Sequence, residues 1–498
     1  MAEHDHSHGH DHQHTHGHGG HGAHPDHDHG HGHDAPAAHE HHRHGHGHGA
    51  HTHQEHAHAH PRTADMLSVE DALERVLRLV HELPVERVPI LDADGLTLAE
   101  DVHSPFDIPA LTNSAMDGYA VRATDVAGAS EASPVTLEIV GQVQAGQLPS
   151  ATVHQGETVR IMTGAPAPEG ADAIVPYEFT DEVERRATGL ALKYIAIRHA
   201  ARPGDHMRPA GEDAAKGALI LEKGRVLDPP TIGLLASLGF ADVSVVRRPR
   251  VAVLATGDEV QTPGETLDPG RLFDSNSYGT AAALRRWGAE PVLLGIARDN
   301  MDDLRAKIRQ GLEADLLITS AGVSAGAFDM VKDTLAELGS IDFWSVRMRP
   351  ARPIAFGQLR SPDGREVPHL GLPGNPVSAL VALVELGRPA LAKMMGREPT
   401  PLPTVRATMD DDLLNTDERR VYARVTVERR EDGLHARLTG GQGSNLLTSM
   451  GLAQGLAICP EDMPLRRAGE RAPVQLLDWL DHSGILTEQL DITEHHID

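Results

Sequence analysis

Cysteine occurs once in 498 residues, as Cys459, so no disulfide can form within the chain, and this usage fits a reducing compartment. Aromatic residues make up 3% of the chain, which leaves aliphatic side chains to fill its cores. Basic residues are also few: 45 lysines and arginines stand against 72 aspartates and glutamates, a formal net charge of −27. A field of that sign repels nucleic acid and anionic membranes, so a small anionic ligand would need a local basic pocket. No apolar run approaches the roughly 18 residues of a membrane span. The amino terminus has neither a basic n-region nor an apolar h-region. Together these absences predict a soluble, cytoplasmic chain with several buried cores, about three domains by length alone.

Histidine is abundant and unevenly placed, with 25 of the 35 histidines in the first 61 residues, interleaved with Gly, Ala and Asp. That stretch contains no branched aliphatic residue and cannot bury enough apolar surface to fold, so 1–62 is expected to be a disordered tail. Alternating imidazoles on a flexible backbone offer loose, multivalent sites for Zn, Ni or Cu, which protonation near pH 6.5 would empty. A solvated tail with no metal role is the competing reading.

Folded structure is expected from Ser68, which precedes Asp71 as a helix cap and is followed by Val69, Ala72, Leu73, Val76, Leu77 and Val80 at helical spacing. Beyond Pro84 and Pro89 the chain is rich in Gly, Pro, Val and Thr, with short alternating runs, and reads as mostly β as far as Lys216. A helix is expected around Ile232, Leu234, Leu235 and Leu238, closed by Gly239. After Arg250 the pattern becomes strand–helix: strands at 251–255, 290–294 and 316–319, and helices near 277–287 and 301–312. This is the signature of a parallel, doubly wound sheet. Residues 400–475 alternate again, as in Val421, Ala423, Val425 and Val427, with Gly440-Gly441-Gln442-Gly443-Ser444 as a turn between strands.

The chemistry is expected in loops after those strands. Asp258 and Glu259 follow the first strand, and Asp299 follows the second. Ser320, Gly322 and Ser324 belong to a glycine and serine loop ending in Asp329, whose backbone N–H groups would cradle phosphate. Carboxylates on successive strand ends suit Mg²⁺, which prefers oxygen ligands, although each alone is as well explained as a helix cap. Arg349-Pro350-Ala351-Arg352-Pro353 offers two guanidiniums on a stiff segment for a tetrahedral oxyanion. Pro373-Gly374-Asn375-Pro376 starts a helix at whose exposed N–H groups Ser378 lies. Asp117, Thr163 and Asp213 occupy glycine turns that on spacing alone are turn chemistry. Arg419 and Arg424 could be cross-strand partners of acids.

The segments around Asp117, Thr163, Asp213, Glu259, Asp329 and 373–376 resemble those of molybdopterin molybdenumtransferase, the MoeA enzymes related to the gephyrin E domain. The resemblance runs from about Leu67 to about Leu476, and the runs 114–121 and 373–378 are individually specific. It implies a multidomain α/β plus β fold: a helical and linker domain (63–104 with 217–248), a β-rich insertion domain (105–216), a doubly wound molybdopterin-binding-like α/β domain (249–396), and a small C-terminal β-barrel (400–476). An acidic tail over 477–498 has no counterpart. It further implies an elongated homodimer that inserts molybdate into adenylylated molybdopterin with release of AMP, assisted by Mg²⁺. Glu259, Asp299 and Asp329 would serve the metal and phosphates. Asp117, Thr163 and Asp213 would approach from the partner subunit. Arg349, Arg352, Ser378, Arg424 and Ser444 would border the molybdate pocket, which Pro373 and Pro376 shape.

Two departures bear on activity. The family usually has Lys-Pro-Gly-Lys-Pro where this chain has 349–353, with Ser345 where another lysine often stands, and Ala321 replaces a loop glycine. A left-handed backbone at Ala321 would cost on the order of 1 kcal/mol. The alternatives to insertion are an adenylyltransferase acting one step earlier and a non-enzymatic molybdopterin-binding scaffold.

Overall fold

The computed structural model describes residues 66–189, 192–320 and 328–479. The histidine-rich stretch 1–62, the loop residues Ala321, Gly322 and Ser324, and 480–498 lie outside the described residues. Ser68 caps the helix Val69–Leu79, its Oγ accepting the Asp71 amide at 3.0 Å. The apolar face Val69, Ala72, Val76 and Val80 does not pack on the strands that follow it. It joins the core of the α/β sheet much later in the chain, and Lys393 Nζ donates to Leu77 O at 2.6 Å to hold it there.

The strands Val85–Pro89, Asp242–Val246 and Thr97–Leu98 form a small sheet in that order, and Val102–His103 pairs with Leu219–Leu221. Residues on both sides of a long excursion therefore build one module. Its helix Pro229–Ser237 starts with an Asp228–Thr231 capping box and ends at Gly239, whose φ of +79° a glycine adopts without cost. The excursion contains a five-stranded sheet ordered Ala173–Pro176, Gly118–Val121, Glu157–Ile161, Val135–Val143, Tyr194–Ile197. A Cβ at position 118 would stand 2.1 Å from Val175 O, so only glycine lets these strands pair.

The α/β sheet is ordered Glu290–Ala297, Arg250–Thr256, Leu316–Ser320, Glu366–Leu372, Pro353–Arg360, Gly339–Ser345. The first four strands are parallel; the inner three are buried along their lengths, as their unbroken apolar runs require, whereas Glu290–Ala297 at the edge leaves Leu293 exposed. The last two are antiparallel, so the sheet is mixed rather than wholly parallel. The physical reason is the connection: only 361–365 join Pro353–Arg360 to Glu366–Leu372, too few for a crossover.

The last module is a closed barrel in which Arg420–Arg430, Gly433–Leu438, Thr404–Met409, Arg471–Leu476 and Gly455–Cys459 pair in sequence and the last returns to the first. Met348–Arg349 adds to its rim beside Arg420–Arg430. Val421, Ala423, Val425 and Val427 fill the barrel, but Tyr422 on the opposite face is also buried, against the α/β core. There it meets the π-turn Leu383–Gly387, which interrupts an otherwise continuous helix from Pro376 to Met394. Burial pushes the Glu385 carboxyl in that turn up to about 7, in spite of Tyr422, Arg420, Gln475 and Arg388 nearby. The expected acidic tail begins later than 477, because Leu477 is fully buried and the Asp478 carboxylate accepts from Trp287 Nε1 at 3.0 Å and Arg388 Nε at 3.1 Å. Among the described residues no helix is long and apolar enough to cross a membrane.

Candidate functional site at the carboxyl edge of the sheet

The parallel strands end level with one another: Thr256 pairs with Ala297, Ala255 with Ser320, and Ser320 with Leu372. The segments 257–259, 298–299 and 373–376 therefore emerge side by side on the edge where open α/β sheets bind ligands. Hydrogen bonds tie the first two of these to each other and the first strand to Ser320. The Gly257 amide donates to Ala297 O at 3.2 Å, Thr256 Oγ1 to Ser320 O at 3.3 Å, and the Asp299 amide to Asp258 Oδ1 at 3.2 Å. Gly257 has φ +122°, a backbone conformation that L side chains rarely adopt, so the turn that presents Glu259 favours glycine.

Glu259 and Asp299 are exposed. Asp329 falls in the first turn of the helix Phe328–Leu338, and its side chain lies outside the described residues. Among the described residues no three acids, histidines or cysteines converge as a metal cluster. The donor type nevertheless fits Mg²⁺, since carboxylate oxygens from adjacent loops leave room for the waters that ion retains.

Pro373 is buried and Pro376 takes the first position of the helix Pro376–Ala382, whose start Asn375 flanks without a side-chain cap. The Val377 amide is not free for an anion, because it donates to Ser444 O at 3.1 Å. That bond brings the barrel loop containing Ser444 onto the 373–376 turn, with Ser378 buried just inside. The loop runs from the strand Gly433–Leu438 to the short helix Leu447–Gly451 and not, as expected, between two strands. Sequence reasoning missed 274–277. Asp274 caps the helix Ser275–Arg286 by accepting the Ser277 amide at 2.9 Å, and Asn276 Nδ2 donates to Gly374 O at 2.8 Å. Asn276 Oδ1 and Ser277 Oγ are buried without a partner among the described residues. The Asp-Ser-Asn-Ser string before a helix is the signal that would have found them.

The arginines differ sharply in what they hold. Arg424 is 1% exposed; its Nε donates to Ser449 Oγ at 3.2 Å and its terminal nitrogens to the carbonyls of Gly441, Gln442 and Gly443 at 3.0 to 3.2 Å. Burial pulls its pKa down to about 10, which leaves it cationic at neutral pH. It is not the cross-strand partner of an acid, and neither is Arg419, which pairs with Asp417 two residues before it in the same segment. Arg349 is shared among Asp417 at 3.5 Å, Thr416 Oγ1 at 3.1 Å and Leu414 O. Arg352 is half-buried and has no side-chain partner among the described residues. Ala351 between them has φ +85°, a left-handed conformation that alanine resists. A cavity of about 370 Å³ opens here, lined by Arg349, Pro350, Asp412, Tyr422, Arg424 and Gln442.

On the five-stranded sheet, Asp117 Oδ1 accepts both the amide and Oγ1 of Thr163 at 2.7 Å. These bonds, aided by Arg160, hold the Asp117 carboxyl below its ordinary pKa. Asp213 is exposed in a neighbouring loop, its amide bonded to Ile108 O at 2.9 Å. Among the described residues no hydrogen bond or ion pair joins Asp117, Thr163 or Asp213 to Glu259 or Asp299 within the chain.

Residues 67–239 match the MoeA N-terminal region (domain I and II), residues 252–393 a probable molybdopterin binding domain, and residues 406–477 the MoeA C-terminal region (domain IV). Molybdopterin molybdenumtransferase 2 of Mycobacterium tuberculosis is 37% identical over 416 residues, covering 82% of this chain and 99% of that protein. The chain belongs to the molybdopterin molybdenumtransferase family. The molybdopterin molybdenumtransferase of Nostoc is 36% identical over 404 residues, covering 79% of this chain and 90% of its own. The crystal structure of the molybdopterin biosynthesis MoeA protein from Pyrococcus horikosii superposes with a TM-score of 0.71 at 33% identity, covering 82% of this chain and 99% of that one. Family membership accounts for the multidomain fold, with its α/β domain and C-terminal barrel, that the motifs led us to expect.

Proposed function

We propose that this member of the family inserts molybdate into adenylylated molybdopterin and releases AMP. The observation that supports the reading is one edge of one sheet: exposed acids at 258, 259 and 299 emerge on the same edge as the 373–376 turn, and the barrel loop that Arg424 holds docks on that turn through Val377 and Ser444. Glu259, Asp299 and Asp329 hold Mg²⁺, which when bound supplies positive charge against the phosphates. Asp258 and the loop of Ser320, Gly322 and Ser324 orient the nucleotide end of the substrate, and Pro373, Gly374, Asn375, Pro376 and Ser378 wall the cleft. Molybdate, a dianion, needs fixed donors; Arg352 has its guanidinium free to reach it, while Arg349, Arg424 and Ser444 border the pocket.

Asp117, Thr163 and Asp213 enter from a second copy in a homodimer, which supplies the contact to the sheet edge that one chain lacks. The division into 63–104 with 217–248, 105–216, 249–396 and 400–476 follows from the same reading. The protein acts in the cytoplasm, and its histidine-rich stretch binds Zn or Ni as an accessory role that isothermal titration at neutral pH would test.

The deciding experiment measures AMP release from adenylylated molybdopterin by protein lacking residues 1–61, with and without molybdate and Mg²⁺. Release that depends on both is expected. Substrate binding without release would overturn the transferase reading in favour of a scaffold.

A further inference from the structure

Behind the Asp117–Thr163 pair lies a buried ionic group that the proposed chemistry does not use. Tyr119 and Arg160 are direct cross-strand partners, one register step behind Gly118 and Ile161. Their side chains meet on Glu182, which is 2% exposed. Tyr119 Oη donates to Glu182 Oε2 at 2.7 Å, Arg160 Nε to Oε1 at 3.0 Å, a terminal nitrogen of Arg160 reaches Oε1 at 2.8 Å, and Arg186 Nε donates to Oε1 at 2.7 Å. Burial alone would raise the Glu182 carboxyl, but the bonds from Arg160, Tyr119 and Arg186 prevail and keep it below its ordinary range. The remaining Arg160 nitrogen lies 3.7 Å from Met162 Sδ, next in the chain to Thr163.

A buried ion pair is seldom a cheap way to join two strands, since well-packed apolar residues stabilise as much or more. What it adds is a fixed position for each charge. Arg160 thus reaches along its strand to the residue beside Thr163, whose amide and hydroxyl hold Asp117, and Asp117 uses only Oδ1 in those bonds. Asp117 Oδ2 has no partner among the described residues and would be open to a guanidinium released from Glu182.

We infer that Glu182 is a positioning residue that holds Arg160 away from Asp117, so that the second oxygen of Asp117 stays open to the substrate. This deepens the proposed function and rests on its placing Asp117 in the site. The three other partners of the group act in the same sense: Tyr119 and Arg186 fix the carboxylate, and Thr180 Oγ1 accepts the Glu182 amide at 3.2 Å.

The test is a rescue experiment read as molybdate-dependent AMP release. E182Q is expected to lose ten- to a hundredfold in kcat, with KM little changed, because Arg160 then binds Asp117. The double variant E182Q/R160Q, which removes the captor, is expected to recover to within about threefold of wild type. A merely structural role predicts that E182Q loses folded protein rather than turnover, so that kcat per folded molecule stays at the wild-type value. Wild-type turnover in E182Q, or no recovery in a folded double variant, overturns the inference. Should E182Q not fold, the double variant decides alone, activity supporting the inference and its absence refuting it. D117N separates the two levels: if D117N keeps full turnover the site reading itself fails, whereas a dead D117N beside a fully active E182Q sinks only the role of Glu182.

Discussion

The two sides of the site spend their charges differently. At the sheet edge, Glu259 and Asp299 stand exposed and enter no ion pair among the described residues. On the barrel side most of the basic charge is already engaged: Arg424 is bonded to three carbonyls and a serine, and Arg349 is shared with Asp417. Arg352, between them in the chain, enters no ion pair among the described residues. Acids are thus available where a cation and phosphates would bind, whereas only one of three arginines is available to an oxyanion. Counting arginines in a pocket overstates its free donors, because a guanidinium holding a loop together keeps its charge but has its N–H groups engaged.

That contrast breaks most visibly at Arg424. Arg424→Met should cost about 2 kcal/mol, since it takes the donors from three loop carbonyls and from the buried Ser449, and urea unfolding would register it. Arg352→Met should leave the same midpoint within about 0.5 kcal/mol while weakening molybdate binding roughly tenfold. Equal losses from both would erase the distinction between structural and available arginines.

Buried acid can be set against exposed acid at Glu385, whose carboxyl is raised from 4.5 to about 7 in the fold. Between those values the folded chain binds more protons than the unfolded one, so this group's contribution to stability falls as pH rises and is fully lost above about 7. The stability gap between wild type and Glu385→Gln should shift by roughly 3 kcal/mol between pH 4.5 and 7.5, and a constant gap would show that the carboxyl titrates normally. For the exposed acids the effect should lie in rate rather than fold. Glu259→Gln should lower AMP release by about two decades with little change in melting temperature. The smallest effect concerns the segment that carries the free arginine: Ala351→Gly should stabilise by about 1 kcal/mol by relieving the left-handed alanine. Calorimetry would resolve it.

What could be read from the chain alone divides along lines of range. The strands at 251–255, 290–294 and 316–319 and the helices between them were legible because continuous apolar runs and helical periodicity are local properties. The neighbouring antiparallel hairpin escaped notice although Asp363-Gly364 between two apolar runs is a turn signal. Ala321 was the position where a strained alanine was anticipated, and it lies outside the described residues; the left-handed alanine in the structure is Ala351, also at a position where relatives carry glycine. The grouping of 257–259, 298–299 and 373–376 followed from strand order, whereas the occupation of Arg424 by its own loop did not. Nothing in a one-dimensional pattern says which carbonyls will surround a side chain. Glu182 was invisible for the same reason, being 63 positions from Tyr119 and 22 from Arg160.

The first helix has a consequence for how the protein is made. Val69–Leu79 buries its apolar face among side chains as distant as Met394 and Leu456. On a ribosome adding roughly 5–20 residues each second, that helix leaves the exit tunnel some 15 to 60 s before the segment around Met394 exists to receive it. Its exposed Val69, Ala72 and Val76 must stay clear of one another and of neighbouring chains throughout that interval. The strongly hydrophilic sixty residues ahead of it leave the ribosome first and put a polar neighbour beside it throughout that interval.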